Sequence, residues 1–351
     1  MTTDQIRAIC ADGAFPGTKT PAELVETHIS WVILTPDFAF KIKKPVTFGF
    51  LDFGTLEKRR FYCEEELRLN RRLAPDLYLG VLPIAESNDR LVIGATENVP
   101  QDYAVQMRRM DNRRQMDILL AAGEVTIGQM KELAAVLAPF HRVAVLENPP
   151  ECHPATYWAD FAELYRFGDD IARHLGPVAT DTLQRWRSSI PEFLEQHEPR
   201  LQERARKGFW VDGHGDLHAR NIMLLDDGPV VFDCIEFNAH FRQNDILNEL
   251  AFLCMDLEAR GHAELAEAFL QAYRQIREVM PQPEDAELFR FFKAYRANVR
   301  LKVALIELRQ HQSPELEAQV QRYWQVLAGY CPARQQWQRG VHGFCGGPQI
   351  F

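Results

Sequence analysis

The segment that most constrains this chain is FWVDGHGDLHARNIMLLDDGPVVFDCIEF, at positions 209–237. It contains two short apolar runs separated by Asp-Asp-Gly-Pro, a pattern that predicts a β-hairpin. Asp216 and Asn221 lie before the first run, and Asp233 directly follows the second. Phosphoryl transfer needs a carboxylate that accepts or orients a hydroxyl proton, and hard oxygen ligands that hold Mg²⁺. One hairpin bearing these three side chains therefore predicts a site for phosphoryl transfer.

The N-terminal part of the chain reads as a mixture of strands and helices. Short runs rich in β-branched and aromatic residues are separated by turn residues, which predicts two hairpins and one further strand. The predicted strands are 27–34, 37–44, 81–85, 90–94 and 103–107. The predicted helices are 4–11, 21–25 and a longer one to residue 73, for which Thr55 is the expected N-cap.

After about residue 112 the apolar residues recur mostly at helical spacing, with the exception of the hairpin segment. The predicted helical segments are 115–122, 127–143, 155–174, 180–206, 242–276, 284–310 and 314–330. A β-rich N-terminal third followed by a helical remainder predicts an α+β fold.

Charge and composition exclude several classes of partner. The 351 residues carry a formal net charge of −9, which disfavours nucleic acid and anionic membrane surfaces. No apolar run approaches the roughly 20 residues that cross a bilayer, and the acidic start MTTDQIRAICADG is unlike a secretory signal. The seven cysteines are scattered and form no CxxC pair, which is typical of reduced thiols. We therefore expect a cytoplasmic protein without a nucleic-acid or membrane partner.

The hairpin motifs resemble those of a known enzyme superfamily. HGDLHARN resembles the H-G-D-x-x-x-x-N motif of aminoglycoside phosphotransferases and choline kinases, and VVFDCIEF is similar to their metal-binding segment. LAAVLAPFHR is similar to a helix of the same superfamily. More narrowly, ETHISWVIL, FAFKIKKPV, GFLDFGTLEKRRFYCEEELRLNRRLAP and FDCIEFN resemble an uncharacterised bacterial group of aminoglycoside-phosphotransferase-like proteins. The resemblance covers roughly residues 20–310.

The resemblance implies a two-lobed, protein-kinase-like fold with a small β-rich N-lobe and a large helical C-lobe. The N-lobe would span 1–106 and bind nucleotide, 107–112 would form the hinge, and the C-lobe would span 113–351 with the catalytic hairpin at 209–237. ATP and Mg²⁺ are the implied cofactors. The implied reaction moves the γ-phosphate to a hydroxyl of a small molecule, such as an amino-sugar, a sugar or an amine alcohol.

The same resemblance implies roles for the hairpin residues. Asp216 matches the catalytic base, and Asn221 and Asp233 match the ligands of Mg²⁺. His214 is expected to have a scaffold role, in which it binds the loop backbone or Asp233. His218 is a candidate contact of the γ-phosphate, although an isolated histidine is more often structural.

A bound nucleotide needs a cation on its α- and β-phosphates and an acid that holds this cation. Lys41 and Lys43 are two apart on a predicted strand and so share one face, with Lys41 the first choice. The partner acid is expected on the following helix. Glu66 shares the inward face of that helix, and Glu65 is the close alternative.

The remaining nucleotide contacts are less specific. No glycine-rich phosphate loop is evident, so the turn at 27–30, with Ser30, is the candidate phosphate-binding turn. The segment AVQMRRM, at 104–110, would link the lobes and bind adenine through its backbone. Met107 is then a candidate adenine contact, and an ordinary core role is equally compatible.

The charge of the acceptor substrate stays open. Acidic residues after the hairpin favour a cationic acceptor, and a basic helix face favours an anionic one; both sets are also compatible with ordinary ion pairs. The acids are Asp245, Glu249, Asp256 and Glu258, and the basic residues are Arg296, Arg300 and Lys302.

Two other classes of function compete with a small-molecule kinase. The alternate spacing of His214, Asp216 and His218 could belong to a metallophosphohydrolase, although the other histidines form no paired motif. A nucleotide-binding regulator without turnover is the second alternative. Within the kinase class, a protein kinase is disfavoured because no APE-type segment follows Asp233.

Overall fold

The computed structural model of the protein describes residues 1–19, 21–49, 51–151 and 153–330. The chain forms two compact units. The first combines 1–125 with 214–243, and the second combines 126–213 with the described residues from 244 onward. Residues 214–237, which include Asp216, Asn221, Asp233 and both strands of the hairpin, therefore belong to the first unit. The lobe and hinge boundaries expected from the sequence (1–106, 107–112 and 113–351) stay predictions.

The helices and strands follow one another along the chain with short connections. The helices are α1 (Thr3–Ala11), α2 (Leu56–Asn70), α3 (Met116–Ala122), α4 (Ile127–Val143), α5 (Pro154–Ala162), α6 (Gly168–Leu175), α7 (Pro177–Arg206), α8 (Ala239–Arg242), α9 (Ile246–Ala259), α10 (Ala263–Ile276), α11 (Pro283–Gln310) and α12 (Pro314–Tyr330). The strands are β1 (Glu23–Glu26), β2 (Ser30–Leu34), β3 (Phe38–Lys43), β4 (Thr47–Phe48), β5 (Leu51–Asp52), β6 (Tyr78–Ser87), β7 (Arg90–Ile93), β8 (Asp102–Arg108), β9 (Trp210–Asp212), β10 (Ile222–Leu225), β11 (Gly228–Val231) and β12 (Gln243–Asp245).

The first unit is built on an antiparallel sheet with the strand order β1-β2-β3-β8-β6-β7. Side chains of strand β3 alternate between the two faces of this sheet. Phe40 and Ile42 join a core with Ile6 of helix α1 on one face. Lys41 and Lys43 therefore lie on the other face, where helix α2 supplies their partners.

Most elements predicted from the sequence are confirmed to within a few residues. Thr55 caps helix α2, because its side chain accepts a hydrogen bond from the backbone N–H of Lys58 at 3.3 Å. The hairpin of β10 and β11 is also present, with Ile222 opposite Val231. Its turn is shorter than predicted, since Gly228 already pairs with Leu225.

The predicted helix at 21–25 is wrong. This segment forms strand β1, which pairs with β2 so that Val25 lies opposite Val32. The apolar and acidic residues of this stretch are compatible with a helix, but the edge of the sheet supplies backbone partners that local propensity does not foresee. The predicted helical segment 242–276 is also interrupted, at Gly261 with a φ of 88°.

The second unit consists largely of packed helices. Helix α4 packs against α10, α9 against α11, and α11 against α12. Nearly every residue of α9 is buried, so this helix lies at the centre of the unit. Among the described residues, no helix combines the length and the apolar character that a membrane crossing requires.

A buried ion network fixes three helices of this unit. The fully buried guanidinium of Arg204, on α7, donates to Asp245 at 2.7 and 2.8 Å and to Asp285 at 2.9 Å. Arg200 donates to Asp285 at 2.8 and 2.7 Å. Asp245 caps helix α9 and Asp285 lies in the first turn of α11. The network therefore joins α7 to the starts of α9 and α11.

Replacing Asp285 with Asn is expected to destabilise the protein by about 3–5 kcal/mol, because two buried guanidinium groups lose a charged partner. Burial raises the pKa of this carboxyl, but Arg200 and Arg204 outweigh burial and leave the pKa below its ordinary value of 3.8. The depressed pKa contributes stability above that value, and the contribution is lost as the pH falls below it. Urea unfolding at about pH 7 and about pH 3 measures both effects.

The matched control is Glu284→Gln, which removes a charge from an exposed position in the same turn of α11. We expect this variant to unfold like the wild type to within about 0.5 kcal/mol. Equal stability of the Asp285 and Glu284 variants would show that the network contributes little.

Candidate active site

The loop before the hairpin presents Asp216 in a constrained backbone. Gly215 has a φ of 83°, and a side chain there would bring its Cβ to 3.0 Å from the carbonyl oxygen of Phe241. Glycine is therefore required at this position. One oxygen of Asp216, Oδ2, accepts a hydrogen bond from Nδ2 of Asn221 at 3.0 Å and lies 3.3 Å from Nε2 of His218. The carboxylate orientation is thus fixed by its own loop.

His218 is oriented toward Asp216 by its other nitrogen. Its Nδ1 accepts a hydrogen bond from the backbone N–H of Arg220 at 3.3 Å, so the ring proton is on Nε2 and points at the carboxylate. His218 therefore contacts Asp216, the predicted base. Its predicted contact with a γ-phosphate stays a prediction.

His214 joins the two ends of the hairpin segment. Its Nδ1 accepts the backbone N–H of Asp216 at 3.3 Å, and its Nε2 lies 2.8 Å from the carbonyl oxygen of Phe232. The first bond places the ring proton on Nε2, which donates to Phe232. Since Phe232 directly precedes Asp233, this buried ring connects the backbone at the predicted base to the backbone at the predicted metal ligand, as expected of a scaffold residue.

Asp233 occupies a backbone conformation that few residues adopt. Its φ is 63°, in the left-handed region where Asp and Asn are tolerated better than most side chains. Its N–H donates to the Tyr78 hydroxyl at 3.1 Å, and the next N–H, of Cys234, donates to Oδ1 of Asn70 at 2.9 Å. Strand β6 and the end of α2 therefore hold the segment that carries this carboxylate.

Buried lysines and carboxylates extend from Asp233 across the sheet face. Lys41 Nζ lies 2.7 Å from Oδ1 of Asp233 and 2.8 Å from Oε1 of Glu66. Lys43 Nζ lies 2.7 Å from Oε2 of Glu66 and also contacts Oε1 of Glu236. We call the series Asp233, Lys41, Glu66, Lys43 and Glu236 the alternating chain, because its charges alternate in sign.

The lysines keep Glu66 ionised inside the protein. Burial raises the pKa of this carboxyl, but Lys41 and Lys43 outweigh burial and lower it from 4.5 to about 2. Burial likewise opposes the charge of Lys41, yet Asp233 and Glu66 hold its pKa well above the ordinary value. The ammonium of Lys41 is therefore charged at any physiological pH.

The structure distinguishes the two acids proposed for the helix. Glu66 is fully buried and contacts both lysines. Glu65 instead pairs with Arg68 of the same helix at 2.7 Å. Lys41 and Lys43 share one sheet face as expected. The cofactor-binding roles of these residues stay predictions.

The other nucleotide candidates lie on the same face of the sheet. Ser30 is directly opposite Lys43 on strand β2, and Met107 is opposite Ala39 on β8. The backbone N–H of Ser30 donates to Oγ1 of Thr27 at 3.0 Å. Its own buried hydroxyl has no hydrogen-bond partner among the described residues. The contacts of Ser30 with phosphate and of Met107 with adenine stay predictions.

Asn221 and Asp233 are chemically suited to Mg²⁺. They offer an amide and a carboxylate oxygen, the hard ligands this ion prefers when nucleotide phosphates and water complete its shell. The described hydrogen bonds of the Asn221 side chain both use Nδ2, which leaves the oxygen for a ligand role. A cationic ammonium, that of Lys41, already lies against Asp233. Among the described residues, no three His, Cys, Asp or Glu side chains form a metal-binding group by themselves.

The charged residues that the sequence suggested for binding the acceptor substrate contact other residues of the helical unit. The acids and basic residues considered for the acceptor have partners there, so neither set is assigned to a substrate. Asp245 binds Arg204, Asp256 binds Arg260 and Tyr323, Glu258 binds Lys293, Arg296 binds Asn248, Arg300 binds Tyr323, and Lys302 binds Glu163.

Three contributors to the site were not predicted from the sequence. Glu236, Tyr78 and Asn70 contact the alternating chain or the segment that carries Asp233. For Glu236 a signal was available, since it follows Asp233 by only three positions in FDCIEF. Tyr78 and Asn70 carry no comparable motif.

A β-sheet with internal lysine–glutamate contacts, followed by the Asp216 loop and its hairpin, is typical of a kinase-like fold. The chain belongs to the phosphotransferase enzyme family known as APH, whose model matches residues 62–288. The predicted superfamily and the α+β, two-lobed kinase-like fold are confirmed.

Curated relatives from mycobacteria share this sequence over most of its length. An uncharacterized protein of Mycobacterium tuberculosis, Rv2004c, is 35% identical over 317 residues, which are 88% of this chain and 60% of the relative. Mb2027c of Mycobacterium bovis, also uncharacterized, gives the same values. The chain thus spans about 60% of the length of the curated relatives it matches.

Solved kinases share the fold at low sequence identity. A choline/ethanolamine kinase family protein from Mesorhizobium loti superposes with a TM-score of 0.54 at 15% identity, over 95% of this chain and 96% of that one. The GDP and kanamycin complex of APH(2")-IIia gives 0.55 at 13% identity, over 94% and 98%. Choline kinase from Cryptosporidium parvum gives 0.51 at 12%, over 93% and 94%. Such likeness establishes the fold alone.

Proposed function

We propose that this protein is an ATP- and Mg²⁺-dependent small-molecule kinase that phosphorylates a hydroxyl group, with Asp216 as the catalytic base. Membership of the family supports phosphotransferase chemistry in general. The observation that carries the finer proposal is the hairpin segment, in which Asn221 orients the Asp216 carboxylate. At its other end, Asp233 faces the ammonium of Lys41.

Asp216 would orient the acceptor hydroxyl and accept its proton as the new bond to the γ-phosphorus forms. Asn221 and His218 both approach one oxygen of this carboxylate. Fixing the carboxylate before the substrate arrives lowers the entropic cost of reaching the reactive geometry. The loop around Gly215 is thereby suited to general-base catalysis.

Lys41 would bind the α- and β-phosphates, and Asn221 with Asp233 would hold Mg²⁺. When bound, this ion neutralises charge on the transferring phosphoryl group. Lys41 suits the phosphate role better than Lys43, because its side chain is 16% exposed against 1%. A partly exposed lysine can turn toward a ligand without unfolding its surroundings.

Met107 and Phe232, which are only partly buried, would supply an apolar surface for the adenine. Val105 lies directly opposite Lys41, and Met107 lies opposite Ala39. Val105, Met107 and Phe232 belong to one apolar cluster. The hydroxyl of Ser30 would serve the phosphates at the opposite end of the sheet face that carries Lys41.

The acceptor is proposed to be a small alcohol such as an amino-sugar, a sugar or an amine alcohol. The class is suggested by the kanamycin complex and by the choline and ethanolamine kinases among the similar structures. A cytoplasmic location belongs to the same proposal, since Cys10, Cys63, Cys234 and Cys254 are free thiols.

A thermal-shift experiment tests the nucleotide assignment first. Mg²⁺–ATP is expected to raise the melting temperature, since a ligand present at a hundredfold excess over its Kd stabilises the folded state by about 2.7 kcal/mol. ATP with EDTA serves as the control and is expected to shift it less. A subsequent screen for ATP consumption uses amino-sugars, sugars and amine alcohols.

The outcomes separate the competing functions. Binding without consumption of ATP for any acceptor class would favour a nucleotide-binding regulator. Absence of any shift with Mg²⁺–ATP would contradict the kinase proposal.

A further inference from the structure

We infer that Lys43 and Glu236 are positioning residues for the binding of Mg²⁺–nucleotide, acting through Glu66 and through the segment that carries Asp233. This inference rests on the proposed kinase function. Its starting observation is that Lys43 contacts Glu66 on one side and Glu236 on the other. The site therefore contains a second lysine–carboxylate pair behind the first.

The two ends of the alternating chain have different access to solvent. The Asp233 side chain is 46% exposed, whereas those of Glu66 and Glu236 are 0% and 5% exposed. Buried ion pairs are weak contributors to stability because desolvation offsets their attraction. The buried Lys43–Glu236 pair is therefore better explained by an effect on the exposed Asp233 carboxylate than by a contribution to stability.

Lys43 allows Lys41 to leave the Glu66 carboxylate and bind a phosphate. Lys41 contacts one oxygen of Glu66, and Lys43 contacts the other. When the ammonium of Lys41 turns to a phosphate, Lys43 still neutralises the buried Glu66 carboxylate. Without Lys43, Glu66 would depend on Lys41 alone, and moving Lys41 to a ligand would leave a buried charge unpaired. Lys43 therefore lowers the cost of nucleotide binding.

Glu236 restrains the segment that carries the predicted metal ligand. It lies three positions after Asp233, whose φ of 63° needs support from its surroundings. The hydrogen bond from Cys234 to Asn70 fixes the middle of this segment, and the Glu236–Lys43 contact fixes its end. The ring of Phe53 lies 4.8 Å from the Lys43 ammonium and covers it. Glu236 thereby limits the positions available to the Asp233 carboxylate.

Calorimetric titration with a non-hydrolysable ATP analogue, with Mg²⁺ or with EDTA, tests the inference. Glu236→Gln keeps the side-chain shape and is expected to raise the Kd about tenfold with Mg²⁺, as outer-shell changes do for metal sites. The Kd in EDTA is expected to stay unchanged, because only the metal-binding segment is affected.

Lys43→Met is expected to raise the Kd in both conditions, because Glu66 then competes with the phosphates for Lys41. The double variant Lys43→Met/Glu236→Gln is expected to bind better than Lys43→Met, since it buries one unpaired carboxylate fewer. Should Lys43→Met fail to fold, Glu236→Gln alone decides. A purely structural pair would change the melting temperature and leave both Kd values as in the wild type.

The exposed pair of Arg60 and Glu64 is the matched control. It is an ion pair at 2.9 Å on helix α2, which also carries Glu66, and its side chains are 58% and 53% exposed. Glu64→Gln and Arg60→Met are expected to leave the Kd unchanged. An unchanged Kd for Glu236→Gln with Mg²⁺ would overturn this inference and leave the proposed function standing. No binding by the wild type would overturn the proposed function, and this inference with it.

Discussion

Asp216→Asn is expected to lower the rate of phosphoryl transfer by about 10²–10⁴, the usual range for losing a general base. Asn has nearly the same shape and retains a carbonyl oxygen that can accept a hydrogen bond from Asn221 or His218. It cannot accept the proton of the acceptor hydroxyl. Turnover should therefore fall while Mg²⁺–nucleotide binding remains. Steady-state kinetics with an acceptor from the screen, together with calorimetric titration of the nucleotide, measure the two properties separately.

The matched control is Asp227→Asn, the same change in the exposed turn of the same hairpin. This variant should turn over like the wild type. Full activity of the Asp216 variant would exclude its role as base. A joint loss of turnover and nucleotide binding would instead assign Asp216 to binding of the metal.

The hairpin site was accessible to sequence reasoning because its signals are local. Asp216, Asn221 and Asp233 lie within 18 consecutive positions, and the two apolar runs between them pair in the predicted order. Helical periodicity also predicted correctly that Glu66, rather than Glu65, is the buried acid of helix α2, because it identifies the inward face of the helix. Patterns of this kind depend only on neighbours along the chain.

The contacts that complete the site come from remote parts of the sequence. Lys43 and Glu236 are separated by 193 positions, and Asn70 and Cys234 by 164. No periodicity or spacing along the sequence connects residues so far apart. The strand at Glu23–Glu26 was missed for a related reason, since its conformation depends on pairing with β2. Sequence reasoning thus identified the groups that lie in local motifs, and tertiary structure determines which residues join them.

Asp233→Asn is expected to abolish the Mg²⁺-dependent part of nucleotide binding, and with it the rise in melting temperature. An amide oxygen is a much weaker ligand than a carboxylate for a divalent cation. Loss of the charge also removes the partner of Lys41 at 2.7 Å. Asn is the appropriate replacement because it tolerates the φ of 63° at this position, so the loop is not strained by the change. Thermal shifts with and without Mg²⁺ measure the effect.

Asp89→Asn supplies a control with the same chemistry and nearly the same backbone. Asp89 is exposed, in the turn between β6 and β7, and has a φ of 60°. Its replacement should leave the rise in melting temperature with Mg²⁺–ATP unchanged, which corresponds to a stabilisation of about 2.7 kcal/mol at a hundredfold excess over the Kd. If Asp233→Asn retained that shift as well, the metal would have to be held elsewhere. The alternating chain would then be an ion network without a metal-binding role, and the proposed metal site at Asn221 and Asp233 would be wrong.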